Sequence, residues 1–364
     1  MSLVEQWIRP QIRALSPYHV PDARGMIKLD AMENPYGLPA ELVPAWLDCL
    51  RAVPLNRYPD PAAQALKGLL RGILGLPEQM GLILGNGSDE LIQMIALAVA
   101  GPGRAVVAPS PSFVMYRMIA SYVDLSYVGV PLLRTDFGLD EVAMMEAIER
   151  HRPAVVFLAY PNNPTGNLWS RRSMERIVER APGLVVVDEA YAPFASDSFL
   201  DRTGEYPNLL VMRTLSKMGL AGLRLGYLVG PDPWLHELEK LRLPYNINAL
   251  TQASAEFALS HQAVFDRQAA QIREDRAALA AALARLPGIR VFPSEANFIL
   301  FATPTGTADR VFRCLRDQGV LIKNLSAQPG LADSLRVTVG APAENQAFVC
   351  ALRHCLASES HGPA

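Results

Sequence analysis

Five short runs of valine, leucine and other apolar residues constrain the fold of this chain more than any other feature. They are AVVAPS (105–110), AVVFLAY (154–160), GLVVVDEAY (183–191), LLVMRTLS (209–216) and LGYLVG (225–230). Each run is continuously apolar rather than alternating, which is typical of strands that are covered on both faces. Amphipathic segments such as 139–151 and 170–181 lie between several runs and suit crossover helices. The pattern predicts an α/β fold whose mostly parallel sheet is flanked by helices.

The pattern changes after about residue 244, and the change indicates a second, smaller domain. A long Ala-rich helical stretch at 250–285 is followed by apolar runs in IRVFPSEANFILFAT, VLIKNL and LRVTVG, with helical segments between them. A chain of 364 residues is long enough for two hydrophobic cores. We therefore predict an N-terminal arm (1–40), a large domain (41–245), and a linking helix with a smaller α+β domain (246–364). The proline-rich arm is expected to pack on the smaller domain or on a partner subunit.

The charge and hydropathy of the chain argue against several classes of partner. Its 34 basic and 36 acidic residues give a net charge of −2, which provides no bulk attraction to nucleic acid or to an anionic membrane. No apolar run is long and uncharged enough to span a bilayer, and the first residues lack the pattern of a signal peptide. We predict a cytoplasmic enzyme that acts on small molecules, without a nucleic-acid or membrane partner.

The four cysteines do not predict a metal site. Cys49, Cys314, Cys350 and Cys355 form no CxxC pair, and the last two flank a single histidine, His354. A zinc site needs more ligands close together. We expect buried, reduced thiols at these positions and no bound metal.

A glycine-rich turn, GNGSDELIQMIALAV (85–99), leads into a helix after one apolar run. Ser88 is expected to cap this helix, with Asp89 in its first turn, and free backbone amides at such an N-terminus favour a phosphate. Turn formation and capping alone account for the glycines equally well. The segment matches neither the Walker pattern nor GxGxxG, so it gives little support to a nucleotide-binding module.

Three further strand ends carry polar residues, and ligands of α/β sheets gather at the carboxyl ends of strands. YPNNPTG (160–166) is either a plain turn or a source of ligating amides, and the aspartate of DEAY needs a partner, which could be an arginine. Lys217 stands among small and apolar residues, where burial would lower its pKa and favour a neutral amine. On its own, a surface position for Lys217 remains open. Together, a phosphate cup, an amide, a carboxylate and a masked amine are what pyridoxal 5′-phosphate requires.

The motifs GNGSDELI, YPNNPTG, DEAY and TLSK…GLRLGY also resemble those of the fold-type I pyridoxal-phosphate-dependent aminotransferases, in particular the histidinol-phosphate aminotransferase family. The resemblance extends through SPY (16–18), RYPDP (57–61), SEANFIL (294–300) and LRVTVG (335–340), and thus covers nearly the whole chain. It implies transamination between L-histidinol phosphate and 2-oxoglutarate in histidine biosynthesis, by a homodimer with shared active sites. Threonine-phosphate decarboxylase and aromatic amino acid aminotransferase share most of these motifs and remain alternatives. A regulator built on the same fold is a further alternative, but it would usually carry an added DNA-binding domain.

The resemblance also implies how the cofactor is bound. Lys217 would bond to the cofactor and move the substrate proton, while Asp188 would pair with the pyridine nitrogen. Asn163 and Tyr191 would hold the phenolic oxygen, and Tyr116 would stack on the ring. The expected phosphate contacts are Gly87, Ser88, Ser216, Arg224 and the partner subunit's Tyr58, and Asp89 belongs to the same cofactor-binding set.

For the substrate, the resemblance implies a set of tyrosine, amide and basic side chains. The set consists of Tyr18, Tyr58, Asn163, Lys323 and Arg336, with Arg336 gripping an anionic group through its bidentate fork. The sequence departs from the family at two points. Lys323 stands where a second arginine is expected, and a lysine holds phosphate only as a point charge. Lys217 and Arg224 are seven positions apart (224 − 217), one fewer than in many relatives, so the turn before Arg224 must be tighter.

Overall fold

The computed structural model describes residues 2–17 and 20–357. The helices are α1 (Leu3–Trp7), α2 (Pro10–Arg13), α3 (Val43–Arg51), α4 (Gln64–Leu74), α5 (Ser88–Val99), α6 (Val114–Tyr122), α7 (Glu141–His151), α8 (Arg171–Arg180), α9 (Asp232–Glu239), α10 (Ala249–Ser260), α11 (Gln262–Ala284), α12 (Ala308–Asp317) and α13 (Pro342–Ala357). The strands are β1 (Ile27–Lys28), β2 (Met80–Gly85), β3 (Ala105–Ser110), β4 (Ser126–Pro131), β5 (Val155–Ala159), β6 (Leu184–Asp188), β7 (Leu209–Thr214), β8 (Gly226–Pro231), β9 (Arg290–Val291), β10 (Phe298–Ala302), β11 (Val320–Leu321), β12 (Lys323–Asn324) and β13 (Ser334–Thr338).

A seven-stranded sheet forms the centre of the larger part of the molecule. Its strand order is β2-β8-β7-β6-β5-β3-β4, and every neighbouring pair is parallel except the two pairs made by β8. The strands β5 and β6 are buried along their whole length, because helices cover both faces and form one apolar cluster on each side. The predicted fold class is therefore confirmed, and the five apolar runs are five of the seven strands.

The remaining two strands, β2 and β4, were not among the predicted runs. β4 lies at the edge of the sheet and is largely exposed or half-buried, so it lacks the continuous apolar run of an inner strand. β2 is fully buried at the opposite edge and pairs with β8 in antiparallel fashion.

A second sheet, antiparallel with the order β12-β13-β10-β9, forms the smaller α+β part. Its core brings together side chains from α11, α12, α13 and this sheet. The short strand β1 pairs in parallel with β11, and the backbone of Leu29 accepts a hydrogen bond from Thr338. Part of the N-terminal segment thus packs on the smaller domain.

The Ala-rich stretch at 250–285 is two helices rather than one. α10 ends at Ser260 and α11 begins at Gln262, with His261 between them in a non-helical conformation (φ −115°, ψ 31°). His261 Nδ1 lies 2.8 Å from the carbonyl oxygen of Phe257. The helical pattern of the sequence predicts both segments but gives no sign of the one-residue break between them.

The cysteines differ from the expectation for them. Cys314 on α12 and Cys355 on α13 form a disulfide, and Cys49 and Cys350 are exposed, so the expectation of buried, reduced thiols is wrong. The packing of α12 against α13 brings together cysteines that are 41 positions apart in sequence.

Within residues 2–17 and 20–357, no helix has both the length and the apolar character to cross a membrane. The same residues contain no cluster of His, Cys, Asp and Glu suited to a metal ion.

Candidate active site

A cavity of about 370 Å³ lies where the strand ends predicted from the sequence meet. The carboxyl ends of β5, β6 and β7 and the N-terminus of α5 contribute to its wall. Its lining includes eight of the residues singled out in the sequence, namely Ser88, Asp89, Asn163, Asp188, Tyr191, Ser216, Lys217 and Arg224.

Lys217 reaches this cavity from a single turn of π-helix (Ser216–Leu220) that directly follows β7. Its Nζ donates to the carbonyl oxygen of Ala31 over 3.2 Å and lies 5.9 Å from the centroid of the Tyr191 ring. Burial, with a smaller contribution from the positive charge of Arg336, lowers the pKa of Lys217 from its usual value to about 8. The side chain can therefore supply a neutral amine near neutral pH, as a nucleophile or a base.

Asp188 is the last residue of β6, and its buried carboxylate is held by two neutral donors. The Tyr116 hydroxyl donates to Oδ2 over 2.6 Å, and the backbone N–H of Ala190 donates to Oδ1 over 3.1 Å. Burial raises the pKa of Asp188 to about 6, although both hydrogen bonds oppose the rise. The ion pair considered for this strand end belongs to the next residue instead. Glu189 accepts from Nε and Nη2 of Arg213 over 2.9 and 2.8 Å.

The N-terminus of α5 and Arg224 together form a cup whose donors suit an anion. Gly87 precedes the helix with φ 81°, and Ser88 is the first helical residue, so the expectation that Ser88 caps the helix is wrong. The Arg224 guanidinium lies against Gly87 and 3.5 Å from Oδ2 of Asp89. Arg224 thus reaches the cup despite its shorter separation from Lys217. A 3₁₀ turn precedes it, and Arg224 itself is left-handed (φ 50°). Ser216 completes this side, where its hydroxyl accepts from Thr214 over 2.9 Å.

Replacing Gly87 with alanine is expected to weaken the binding of inorganic phosphate and of phosphorylated ligands by about tenfold or more. A Cβ there would lie 2.7 Å from Nη2 of Arg224, at a φ that side chains rarely adopt. Gly103→Ala is the matched control, because Gly103 has a similar φ of 72° but nothing within 4 Å of its would-be Cβ. Isothermal titration with phosphate measures the affinity of both variants. If the two variants lost affinity equally, backbone strain alone would account for the loss in Gly87→Ala.

Arg336 lies on β13, an inner strand of the smaller sheet, and is buried beside the cavity wall. Its Nη1 donates to Oδ1 of Asn163, its Nη2 donates to the carbonyl oxygen of Asp30 over 2.9 Å, and its guanidinium lies 5.2 Å from the centroid of the Phe298 ring. Lys323 is directly opposite Arg336 on β12, so both side chains share one face of the sheet. Burial and the charge of Arg336 lower the pKa of Lys323.

Tyr116 does not line the cavity, so its predicted stacking on a cofactor ring is wrong. Its own ring stacks on Phe157, with centroids 4.6 Å apart and planes within 5°, while its hydroxyl faces Asp188. The aromatic side chain that lines the cavity is Phe113. Because α6 begins at Val114, Tyr116 lies in its first turn on the buried face, with Ile119 and Ala120. The spacing of these three residues is the signal that would have distinguished Tyr116 from Phe113.

One tyrosine of the predicted set, Tyr58, does not line the cavity of this chain. Tyr58 is 79% exposed and stacks on Tyr245, with ring centroids 4.4 Å apart. Tyr18 lies outside the residues that the structure describes. One cavity-lining carboxylate, Glu33, was not predicted at all. It follows β1 in a loop whose sequence, DAMENPYG, has no periodic pattern.

The residues of the cavity fit pyridoxal 5′-phosphate. Gly87 lacks the side chain that would collide with Arg224, which leaves backbone amides and a guanidinium for a phosphate. The buried carboxylate of Asp188 has no cationic partner among the described residues and can serve a protonated ring nitrogen. Lys217 supplies the amine inside the same cavity. The fold and the site together define a pyridoxal-phosphate-dependent enzyme of fold type I.

Comparisons with known proteins agree with this class. The family model for aminotransferase class I and II matches residues 24–352, and the chain belongs to this family of pyridoxal-phosphate-dependent transaminases. It is 61% identical to histidinol-phosphate aminotransferase 2 of Nitrosococcus oceani, over 96% of this chain and 97% of that relative. It is 54% identical to the histidinol-phosphate aminotransferase of Chromobacterium violaceum, over 96% of this chain and 98% of that relative.

Solved structures match the fold over nearly the whole chain. The histidinol-phosphate aminotransferase of Sinorhizobium meliloti, solved in complex with pyridoxal 5′-phosphate, has a TM-score of 0.87 at 24% identity and covers 97% of this chain and 98% of its own. The L-threonine-O-3-phosphate decarboxylase of Porphyromonas gingivalis has a TM-score of 0.78 at 25% identity, with 91% and 99% covered. The fold is thus common to both activities, whereas the relatives with more than half of their residues identical carry the aminotransferase name.

Proposed function

We propose that this protein transfers the amino group of L-histidinol phosphate to 2-oxoglutarate, giving imidazole-acetol phosphate and L-glutamate in histidine biosynthesis. The observation that carries the proposal is the pairing of Arg336 and Lys323 on one sheet face beside Asn163, next to a cavity that contains Lys217. Two adjacent cations suit an amino donor with a phosphate and a 2-oxo acid with carboxylates. The relatives at 61% and 54% identity support the same donor by their names.

The bound cofactor supplies an aldehyde carbon that takes the amino group and a ring that draws electrons from the α-carbon of the donor. Lys217 would hold the cofactor through that carbon in the resting enzyme, and its Nζ, once the donor amine has displaced it, would move the α-proton of the donor. Asp188 would pair with the pyridine nitrogen and stabilise its proton, which would make the ring a stronger electron acceptor. Asn163 and Tyr191 would hold the phenolic oxygen. These roles are consistent with the placement of all four side chains in the lining of one cavity.

The phosphate end of the cofactor is proposed to lie at the N-terminus of α5. The amides of Gly87 and Ser88 and the guanidinium of Arg224 provide donors, and Ser216 adds a hydroxyl. Asp89 lies 3.5 Å from Nη2 of Arg224 and so helps to orient the guanidinium rather than to bind the anion directly. A phosphate bound there would anchor the ring in the cavity that Lys217 and Phe113 line.

Arg336→Gln is expected to raise the KM for histidinol phosphate by about 100-fold, because a charge-assisted hydrogen bond contributes roughly 1.5–3 kcal/mol. The kcat at saturation should fall much less. Arg290→Gln is the matched control, since Arg290 also stands over a phenylalanine ring, 4.8 Å from the centroid of Phe292, in the same sheet. Steady-state kinetics of both variants would contradict the role of Arg336 if the two KM values rose equally.

We also propose that the enzyme is a homodimer in which each subunit's Tyr58 reaches the partner's cavity. Support comes from the exposure of Tyr58, which is 79%, and from exposed apolar side chains close in sequence to Tyr58 and to Tyr245. Among them are Leu55, Leu243 and Tyr245, whose ring stacks on Tyr58. Tyr18 is proposed to contact the substrate, as the sequence resemblance implies.

Mixing two inactive variants, Lys217→Ala and Tyr58→Ala, is expected to restore about a quarter of the wild-type activity, because half of the dimers are mixed and each has one intact site. The subunits are exchanged in mild denaturant, and glutamate formation is measured. Each variant carried alone through the same exchange is the control. If the mixture is no more active than the sum of its components, the shared-site proposal is wrong.

The proposed donor is tested by product analysis with three amino compounds. With 2-oxoglutarate present, histidinol phosphate should give glutamate with a kcat/KM at least about 100-fold higher than phenylalanine does, because phenylalanine lacks the phosphate. Threonine phosphate should release no carbon dioxide. Preferential formation of phenylpyruvate would indicate an aromatic amino acid aminotransferase instead. Release of carbon dioxide from threonine phosphate would indicate a threonine-phosphate decarboxylase.

We place the reaction in the cytoplasm, where amino donors and 2-oxo acids are metabolites.

A further inference from the structure

We propose that Tyr116 is a positioning residue for this reaction, whose hydroxyl holds the Asp188 carboxylate in the orientation and the ionised form that the cofactor ring requires. The inference rests on the proposed role of Asp188. Its central observation is the hydrogen bond of 2.6 Å between the Tyr116 hydroxyl and Oδ2 of Asp188, which is buried at both ends.

The Tyr116 ring is fixed by packing on two sides. It is 1% exposed, it stacks on Phe157 of β5 with planes within 5°, and it meets Phe113 edge-on at 5.5 Å between centroids. Phe157 belongs to the inner sheet, and Phe113 belongs to the cavity lining. The packing therefore fixes the position of the hydroxyl oxygen, so the hydroxyl cannot follow the carboxylate if Asp188 rotates.

The two donors to Asp188 use different oxygens. Tyr116 binds Oδ2, and the backbone N–H of Ala190 binds Oδ1, so rotation about the last side-chain bond would break both hydrogen bonds. The side chain nevertheless lines the cavity. One edge of the carboxylate is thus held by the protein while the carboxylate remains accessible to a ligand.

The groups around Asp188 also make the Tyr116 hydroxyl necessary for keeping the Asp188 carboxylate ionised. Burial and the negative charges of Asp89 and Glu189 favour the protonated acid, whereas donation by Tyr116 and Ala190 favours the carboxylate. Tyr191 also lies close enough to Asp188 for their charges to interact. Burial raises the pKa of the Tyr116 phenol well above its usual value, so it remains a donor at every pH at which the enzyme would work.

The test compares Tyr116→Phe with Tyr160→Phe, and both variants keep the ring. Tyr160 is the matched control, because it is also buried and its hydroxyl donates to a carboxylate, Oδ2 of Asp197, over 2.8 Å. Tyr160 packs in the apolar cluster on the opposite face of the sheet. Carbon-13 NMR of the cofactor-free protein reports the titration of Asp188, and equilibrium dialysis at several pH values reports the affinity for pyridoxal 5′-phosphate.

In Tyr116→Phe, the pKa of Asp188 is expected to rise by about one unit or more, since a hydrogen bond to a charged group is worth at least that much. If the pKa of Asp188 rises from about 6 to about 7, roughly half of the carboxylates are protonated at pH 7, so the dissociation constant of the cofactor there should rise about twofold, with a smaller rise at higher pH, where the carboxylate ionises again. Tyr160→Phe should change neither quantity. Equal values of both quantities in Tyr116→Phe and the wild type would overturn the proposal, even if thermal unfolding showed a loss of stability.

A second variant tests the opposite sign without a change of packing. Incorporation of 3,5-difluorotyrosine at position 116 makes the phenol a stronger donor, so the pKa of Asp188 should fall below its wild-type value. A rise or no change would contradict the inference. Both NMR readouts use the cofactor-free protein, so they remain informative if the proposed donor proves wrong while the carboxylate keeps its role.

Discussion

Lys217→Ala is expected to lose turnover by at least about ten-thousand-fold, because the variant lacks the group that we propose as both nucleophile and proton carrier. Lys217 has the features that both roles require, since it lies in the cavity and burial lowers its pKa to about 8. The variant should also lose the covalent attachment of the cofactor. Mass spectrometry after borohydride reduction would show this directly, since only a cofactor bonded to the amine gains a stable linkage.

Lys217→Arg separates the chemistry of this side chain from its charge. Arginine keeps a cation near Ala31 and Tyr191 but remains protonated at every relevant pH, so it provides no neutral amine. We expect it to be as inactive as the alanine variant. A small primary amine should restore part of the proton transfer in Lys217→Ala, because the missing side chain leaves room for it. An arginine variant that turns over at an ordinary rate would show that Lys217 acts only through its charge.

Asp188→Asn is expected to slow the reaction about a thousandfold, equivalent to a loss of roughly 4 kcal/mol in transition-state stabilisation. The amide keeps the shape of the carboxylate but cannot stabilise a positive charge on the ring nitrogen. Cofactor affinity should fall much less than the rate, because the phosphate cup at Gly87 and Arg224 is unchanged. Single-turnover rates and cofactor dissociation constants, measured on the same preparation, separate the two effects.

The adjacent carboxylate provides the control for Asp188→Asn. Glu189 is equally buried but lies on the other face of the strand, where it pairs with Arg213 and accepts from the Ser198 hydroxyl. Glu189→Gln should lower the free energy of unfolding by about 3–5 kcal/mol, because it leaves a buried charge without its partner. Its effect on the single-turnover rate should be small. If both amide variants lost rate equally, the loss in Asp188→Asn would reflect general damage to β6.

The inner strands could be predicted from the sequence because burial on both faces leaves a continuous apolar run. The edge strand β4 could not, since its side chains are mostly exposed or half-buried and resemble those of a loop. The break at His261 and the disulfide between Cys314 and Cys355 depend on how helices pack, and no local pattern encodes either feature.

The sequence predicted which side chains share the cavity where a residue's position follows from its strand. Asp188, Lys217 and Asn163 each come directly after an apolar run, so the sheet brings them to one edge. Prediction failed for Tyr116 because no proline or capping side chain marks the first residue of α6, so the spacing of Tyr116, Ile119 and Ala120 was the one signal of its buried face. Glu33 was missed because it lies in a loop that the smaller domain holds in place through contacts distant in sequence.

The central claim is that these residues carry out transamination of a phosphorylated amine through a cofactor bonded to Lys217. The most direct test is a half-reaction, in which cofactor-loaded protein is mixed with L-histidinol phosphate in the absence of any 2-oxo acid. We expect the visible absorbance of the Lys217-bonded cofactor to disappear within one turnover, and 2-oxoglutarate to restore it. Persistence of that absorbance with histidinol phosphate, together with its loss on addition of phosphothreonine or phenylalanine, would contradict the account.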